Sequence, residues 1–314
     1  MEIEKLDDID IKAASELVLA SYEEERKAFP HLPNAQDYQD LLMNKLKHLV
    51  SEGKGIIALE DDELIGFMGG YMIDELYGEC KGVYSPVYGH GTVRKDKKGI
   101  YQEMYRCAAD RWVEEHLTSH AVSLFSYDED IIDTFFWMGF GLRCVDAVRK
   151  VNSISSETKT FDIKKAKKDD ITRIANIHRK HNLYYRSSPI FMPNEEDPKQ
   201  DLTEWFKKED HHLWIACQDS EPLGYMRIQP KGESFISEHA SIMNITGAYI
   251  EPNYRRSGIG VRLLDTIQKW LQKNNYLLCG VDFESINTSA CNFWKEYFTP
   301  YIYSLVRRID ERIL

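Results

Sequence analysis

Residues 244–264 read NITGAYIEPNYRRSGIGVRLL, and this stretch indicates the fold class of the chain. Its first part, up to Ile250, is rich in β-branched and aromatic residues and predicts a strand. Pro252 ends that strand because proline has no N–H to donate to a sheet. A basic turn with Gly258 and Gly260 follows, and apolar residues then recur at helical spacing. The stretch therefore predicts a strand, a tight turn and a helix in immediate succession.

A turn of this kind can bind an anion. The first N–H groups of a helix have no partner inside the helix, and the helix dipole favours negative charge at that end. Glycine lets the backbone approach an anion closely because it has no Cβ. We therefore predict an anion site at residues 255–261, although the same pattern also fits an ordinary basic turn between a strand and a helix.

The stretch resembles the acyl-CoA loop of the GNAT superfamily of N-acetyltransferases. The family motif is (Q/R)-x-x-G-x-(G/A), which Arg255, Gly258 and Gly260 fill. The resemblance implies acetyl-CoA as cosubstrate, with its diphosphate in the turn and its pantetheine arm along the preceding strand. The implied cofactor-binding residues are Ala248, Tyr249, Ile250, Arg255, Arg256, Ser257, Gly258, Ile259, Gly260, Val261 and Asn287.

Asn287 and Ala290 resemble the family's N-x-x-A segment, in which the asparagine contacts the CoA arm. Asn287 fits a helix N-cap equally well. The family often continues to a tyrosine that protonates the departing thiolate, but Trp294 stands at that position. An indole N–H is not an acid at neutral pH. We therefore predict Tyr297, three residues further on, as the substitute acid, and a role in the core stays open for it.

Acetyl transfer to an amine also needs a base that accepts the ammonium proton. Glu251 at the end of the strand is the base that we predict, and Asp282 and Glu284 are further candidates by location. Glu251 also fits a surface residue before a proline.

The order of predicted elements repeats in the two halves of the chain. Gly66 and Gly224 correspond at an offset of 158 residues, and Gly99 and Gly258 at 159. A repeat of this length is a domain and not a solenoid unit. We predict an α+β (mixed α/β) fold of two tandem GNAT-like domains, each with a mixed, mostly antiparallel sheet flanked by helices. Their predicted ranges are 1–152 and 160–314, joined by a Ser-rich linker at 152–159.

The first half lacks the features of the loop. Asp96 stands opposite Arg255 and places a negative charge where a diphosphate would lie. Tyr101 stands opposite Gly260 and places a ring where the backbone must approach. Gly139 and Phe140 match the family's terminal Gly-Phe, so the fold is expected to be kept. We predict that residues 1–152 form a GNAT-like domain that is degenerate for CoA.

Composition excludes several classes of partner. The 314 residues are 43% hydrophobic and 29% charged, as in folded proteins. Residues 1–156 hold 17 Lys and Arg against 29 Asp and Glu, which argues against nucleic acid as a partner and suits either a cationic amine or solubility. We find no apolar run of about 20 residues, no signal-peptide pattern and no zinc-ligand spacing. Six cysteines without a CxxC pair predict free thiols and a cytoplasmic protein without a metal site.

The function predicted from the resemblance is that of an acyltransferase. It would be an acetyl-CoA-dependent N-acetyltransferase that acetylates a primary amine of a small molecule or peptide by direct transfer. The alternative is a non-catalytic acyl-CoA-binding or regulatory module, which Trp294 favours. The sequence leaves open the acceptor, a hydroxyl acceptor included, the acyl-chain preference and the oligomeric state.

Overall fold

The chain folds into two compact units. A computed structural model describes residues 1–93, 95–154 and 161–314. The first unit comprises Met1–Asp146, Ser234–Ile236 and Pro300–Leu314, and the second comprises Ala147–Glu233 and Ser237–Thr299. The predicted ranges 1–152 and 160–314 therefore differ from these units, chiefly because residues 300–314 cluster with the first. The predicted linker lies outside the described residues from position 155 onward.

A mixed sheet forms the centre of the first unit. Its strands pair in the order β1-β2-β3-β4-β6, with β5 also beside β3, and only the β4–β6 pair is parallel among these described strands. The strands are β1 (Glu2–Lys5), β2 (Lys54–Glu60), β3 (Glu63–Ile73), β4 (Gly82–Ser85), β5 (His90–Thr92), β6 (Ser119–Phe125) and β7 (Gly141–Lys150), which crosses the boundary between the units. The helices are α1 (Ile11–Ala28), α2 (Gln39–Glu52), α3 (Lys97–Glu114) and α4 (Glu129–Trp137).

The second unit repeats this arrangement. Its strands pair in the order β8-β9-β10-β11-β12, and only the β11–β12 pair is parallel among them. The strands are β8 (Asp162–Lys165), β9 (His212–Gln218), β10 (Glu221–Gln229), β11 (Ile242–Ile250) and β12 (Leu278–Glu284). The helices are α5 (Ile171–Tyr185), α6 (Pro198–Trp205), α7 (Ile259–Lys273) and α8 (Thr288–Tyr297). The predicted mixed class, with mostly antiparallel pairing, is confirmed.

The last strand, β13 (Thr299–Arg308), completes the sheet of the first unit. It pairs antiparallel with β6, from Ile302 opposite Phe125 to Arg308 opposite Ser119. Residues 301–308 are rich in β-branched and aromatic residues, which is typical of a strand. Its partner could not be predicted, because the paired residues lie far apart in the sequence.

Helix α7 shows why the predicted apolar spacing produces a helix that packs on the sheet. Leu263, Leu264, Ile267 and Leu271 are each 0% exposed. Burying a side chain of this size stabilises the fold by roughly 1.5–3 kcal/mol. This packing fixes where α7 begins, and hence where the turn before it lies.

The residues that the structure describes offer neither a membrane-spanning helix nor a cluster of metal ligands. Helices that are long and apolar enough to cross a membrane are absent from them. The same part of the chain contains no group of three or more His, Cys, Asp or Glu residues that could hold a metal ion. All six cysteines are free thiols.

Candidate active site

The site begins where β11 and β12 separate. The two strands pair in parallel from Ile242 opposite Leu278 to Ile245 opposite Val281. Both strands then continue, β11 to Ile250 and β12 to Glu284, without further pairing to each other. Backbone N–H and C=O groups of β11 that would have faced β12 are thus left for another partner. An extended ligand can pair with such an edge as an added strand does.

A β-bulge lies at the point of separation. Arg227 of β10 stands opposite Gly247, and Ile228 stands opposite Ile245, so Thr246 is an extra residue in β11. A bulge bends a strand and increases its twist, which turns β11 away from β12. A Cβ on Gly247 would lie 2.8 Å from Nε of Arg227. Glycine inside a β-branched run is a sequence signal for a bulge, and it could have predicted this one.

The turn after β11 has the conformation that its residues suggest. Arg256 and Gly258 have positive φ angles of 63° and 87°, and α7 begins at the next residue, Ile259. The Ser257 hydroxyl donates to the carbonyl of Tyr254 at 2.6 Å and so holds the turn closed. The backbone N–H groups at the start of α7 remain without helical partners. This end of α7 is therefore suited to an anion.

Gly260 lines the cavity and is also closely packed. A Cβ at this position would lie 3.2 Å from Cδ1 of Ile250 and 3.2 Å from Cε2 of Phe293. The close packing of α7 against β11 and α8 therefore favours glycine here. In contrast, Gly258 is favoured by its left-handed backbone.

Arg255 is held at the edge of the site by aromatic rings. Its Nε donates to the carbonyl of Ile250 at 3.2 Å. Its guanidinium lies 4.6 Å from the ring centroid of Tyr184 and 5.7 Å from that of Tyr249. Cation–π contacts of this kind keep the positive charge in place. Tyr184 is not among the residues predicted from the sequence, because it lies on α5, far from the motif in the chain.

Asn287 is an N-cap, as the alternative interpretation predicts. Its Oδ1 accepts from the backbone N–H of Ala290 at 3.3 Å, and also from the hydroxyl of Tyr184 at 3.0 Å. The contacts of Tyr184 thus link the turn, α5 and α8. The predicted contact of Asn287 with CoA stays a prediction.

These elements enclose a cavity of about 970 Å³, near the upper end of the range for ligand sites. Of the predicted residues, the following line it: Ala248, Tyr249, Ile250, Arg255, Arg256, Gly258, Gly260, Val261, Asn287 and Tyr297. Ser257, Ile259 and Glu251 are not among its lining residues. Ile259 is 1% exposed and belongs to the core.

The cavity has two different walls because side chains alternate along β11. Tyr249 contacts α5, with its ring centroid 5.2 Å from that of His181. Ile250 points the other way, toward Gly260 on α7 and Phe293 on α8. A ligand between β11 and β12 would therefore have an aromatic wall from α5 on one side and the glycine turn on the other.

Asp282 on β12 is the carboxylate most suited to act as a base. It lines the cavity, and burial raises its pKa to about 7, with smaller contributions from the charges of Glu233 and Glu284. The nearby Arg227 acts in the opposite direction. Glu251, in contrast, forms a 2.5 Å ion pair with Lys180. The structure thus places Asp282 at the cavity and the predicted base outside its lining.

Tyr297 and Trp294 have distinct environments on α8. Trp294 is 5% exposed and packs against Phe298, with ring centroids 5.4 Å apart. Tyr297 lines the cavity and packs against Phe293 at 5.2 Å. Burial, followed by the hydrogen bond and charge of Glu296, raises the pKa of Tyr297, so its hydroxyl stays protonated at neutral pH.

The α5 wall contains a chain of buried hydrogen bonds. The Tyr225 hydroxyl is 2.7 Å from Nδ1 of His181 and 2.9 Å from Nδ1 of His178. Nε2 of His178 lies 3.6 Å from Oδ2 of Asp201, which also accepts from Nη1 of Arg227 at 2.6 Å. Both His181 and Tyr225 line the cavity. This cluster is not predicted from the sequence, because its members come from different elements.

The chain resembles known acetyltransferases in sequence. Residues 175–298 match the family model described as "Acetyltransferase (GNAT) family". An uncharacterised N-acetyltransferase of Methanocaldococcus jannaschii is 23% identical over 168 residues, which cover 53% of this chain and 69% of that protein. An aminoglycoside N(6')-acetyltransferase type 1 of Stenotrophomonas maltophilia is 26% identical over 80 residues, covering 25% of this chain and 52% of that protein.

The solved structures show the fold. A GCN5-related N-acetyltransferase from Sphaerobacter thermophilus has a TM-score of 0.63 and 11% identity to this chain. The match covers 94% of this chain and 91% of that one. It extends the likeness in fold to both halves.

Proposed function

We propose that this protein acetylates a primary amine with acetyl-CoA by direct transfer. Residues 175–298 belong to the GNAT acetyltransferase family, which makes this protein an acyltransferase. The acceptor would be a small molecule or a peptide. The observation that carries the proposal is the cavity between the separated β11 and β12, with the glycine turn at its edge. The cavity joins an anion site to an open strand edge, as a diphosphate followed by an extended arm requires.

In this proposal the donor lies along β11. N–H groups at the start of α7 and the charges of Arg255 and Arg256 hold the diphosphate. The backbone of residues 248–250 pairs with the pantetheine arm, and Asn287 contacts it from the start of α8. Tyr297 protonates the departing thiolate, a role that its protonated hydroxyl and its place in the cavity support.

The acceptor lies on the α5 side, and Asp282 takes the ammonium proton. A base works best when its pKa is near the working pH, and the pKa of Asp282 is about 7. The relative named as an aminoglycoside N-acetyltransferase supports an amine as acceptor. We also propose a cytoplasmic location, in keeping with free cysteines, and a first domain that does not bind CoA.

Calorimetry with coenzyme A, combined with turnover on a panel of amines, tests the proposal. We expect the wild-type protein to bind CoA and to acetylate at least one amine. Gly258→Asp should abolish binding, because it strains a left-handed residue and adds a carboxylate at the anion site. Gly141→Asp is the control, since a Cβ at Gly141 meets nothing within 4 Å.

Three results would contradict the proposal in different ways. No heat with CoA would remove the donor site. Unchanged affinity in Gly258→Asp would move that site elsewhere. Binding without turnover on any amine would favour the alternative, a non-catalytic acyl-CoA-binding module.

A further inference from the structure

The proposed reaction must remove two protons from nitrogen. A primary amine that enters as an ammonium carries three protons on nitrogen, and the amide product retains one. Asp282 accounts for the first proton, which leaves before attack. The second leaves the tetrahedral intermediate, whose nitrogen becomes positive when the bond to the acetyl carbon forms. As long as Asp282 holds the first proton, the second proton needs another acceptor at the cavity.

His181 is placed to be that acceptor. Its side chain lines the cavity, and its Nδ1 is bonded to Tyr225. Within the part of the chain that the structure describes, Nε2 of His181 has no hydrogen-bond partner. The ring therefore joins the cavity to a buried chain of hydrogen bonds.

The geometry of this chain limits which atoms donate and which accept a hydrogen bond. A hydroxyl has one proton, yet the Tyr225 oxygen lies within 2.9 Å of two Nδ1 atoms. The hydroxyl must donate to one ring and accept from the other. If His181 donates its Nδ1–H to Tyr225, the hydroxyl donates to Nδ1 of His178, and Nε2 of His181 carries a lone pair. In this arrangement His178 carries its proton on Nε2, which faces Asp201 at 3.6 Å.

We propose that His181, Tyr225 and His178 carry the second proton away from the reacting nitrogen, a role that rests on the proposed acetyl transfer. The N–H bond of the intermediate breaks and a bond to Nε2 of His181 forms. The Nδ1 proton of His181 passes to the Tyr225 oxygen, and the hydroxyl proton passes to Nδ1 of His178. His178 becomes an imidazolium, the intermediate collapses, and the thiolate takes the proton of Tyr297. Asp282 returns its proton to Tyr297, and His178 releases the net proton to solvent.

The surroundings support a path through which a proton passes without being stored. Burial lowers the pKa of His181 to about 3 and that of His178 to about 4, so both rings are neutral before the reaction. Asp201 stabilises the imidazolium at the end of the path, while Arg227 beside it limits its lifetime. Arg255, Tyr185 and Tyr249 also lie near His181.

Tyr225→Phe tests the path, because it removes the bridging hydroxyl and keeps the ring. We expect kcat to fall roughly 100-fold, the size typical of a lost proton-transfer step, while CoA affinity stays unchanged. The rate should also be measured in mixtures of H₂O and D₂O. A plot of rate against deuterium content should be curved for the wild type and straight for the variant. Tyr276→Phe is the matched control, since Tyr276 stacks on Trp270 and does not line the cavity.

His178→Asn keeps the test valid if Tyr225→Phe fails to fold. The oxygen of the asparagine side chain can accept a hydrogen bond from the Tyr225 hydroxyl. Asparagine has no counterpart of the histidine Nε2 that would hold a proton facing Asp201. The same loss of kcat and the same straight line are expected. Wild-type turnover and a wild-type curve in either folded variant would overturn the inference while leaving the proposed function intact. No turnover by the wild-type protein would overturn both.

Discussion

In the second half of the chain β11 runs unbroken from Ile242 to Ile250, whereas in the first half the corresponding stretch is divided at Pro86 into β4 and β5. The space beside β11 is a cavity of about 970 Å³, and the space beside Tyr101 amounts to about 20 Å³. Both halves have the same frame of strand, turn and helix. The difference between an open site and a filled one therefore comes from the break in the strand together with a few side chains.

Tyr101 accounts for much of this difference. It stands at the position of Gly260, and its hydroxyl is 2.8 Å from Nδ1 of His90. Nε2 of His90 is in turn 2.8 Å from the carbonyl oxygen of Ser123. Tyr101 and His90 are 4% and 6% exposed. A ring in place of one hydrogen atom thus fills the region that the second half keeps open.

The charge at the turn also differs between the two halves. Asp96 precedes α3, and its Oδ2 would lie 2.7 Å from a Cβ on Gly99, so the carboxylate lies over the first turn of the helix. The corresponding residue before α7 is Arg255. The first half thus places its own anion where the second half offers a site for a ligand's anion.

The largest expected effect comes from Asp282, whose counterpart in the first half is Ser123. Asp282→Asn should lower kcat by roughly 10²–10⁴-fold, the typical contribution of a general base. The wild-type rate should fall as pH decreases through about 7, because protonation removes the base, and the variant should lack this limb. A pH–rate profile checks both, and an unchanged acid limb would assign the base to another group.

Asp282→Asn should also change how the stability of the protein depends on pH. The folded pKa of about 7 lies above the unfolded value of roughly 3.9, so the folded state favours the protonated carboxyl. Wild-type stability therefore decreases as pH rises between these values. Relative to the wild type, the variant should be more stable above about pH 7 than at acid pH. Denaturant unfolding at both ends of this interval measures it.

The next largest effect concerns the ring that fills the first half. Tyr101→Ala should reduce the free energy of unfolding by about 3–5 kcal/mol, as expected for a large aromatic side chain removed from a core. CoA affinity, measured by calorimetry on folded protein, should not change. Tyr127→Ala serves as the control, because Tyr127 is 60% exposed. A new CoA site in Tyr101→Ala would show that this ring alone made the first half inactive.

The smallest effect tests the charge at the turn. Arg255→Asp gives the second turn the charge of the first and should weaken CoA binding by about 1.5–3 kcal/mol, the value of a hydrogen bond to a charged group. Arg179→Asp makes the same change of charge at an exposed position of α5. Equal losses in the two variants would mean that the charge acts at long range and not through contact with the diphosphate.

Local pattern was sufficient for several parts of the fold and the site. The β-branched run, Pro252 and the spacing of Leu264, Ile267 and Leu271 predicted a strand, its end and an amphipathic helix. Most of the cofactor-binding residues that the resemblance predicts line the cavity. These features depend on neighbours in the sequence, whose preferences for strand, turn and helix act over a few residues.

Other features depend on contacts that no local pattern contains. The partner of β13 lies in the first half, and Glu251 is paired with Lys180 outside the cavity lining while Asp282 lies within it. A raised pKa depends on burial, which only packing determines.

The sequence by itself determined the class of fold and the glycine turn, because both follow from the spacing of residues that are close in the chain. Only the tertiary structure decided where β11 and β12 part, which carboxylate lies at the cavity, and that His181 and Tyr225, 44 residues apart, share a hydrogen bond. The physical reason is that registry between strands, desolvation of a charge and a bond between distant side chains come into being only when the elements pack together.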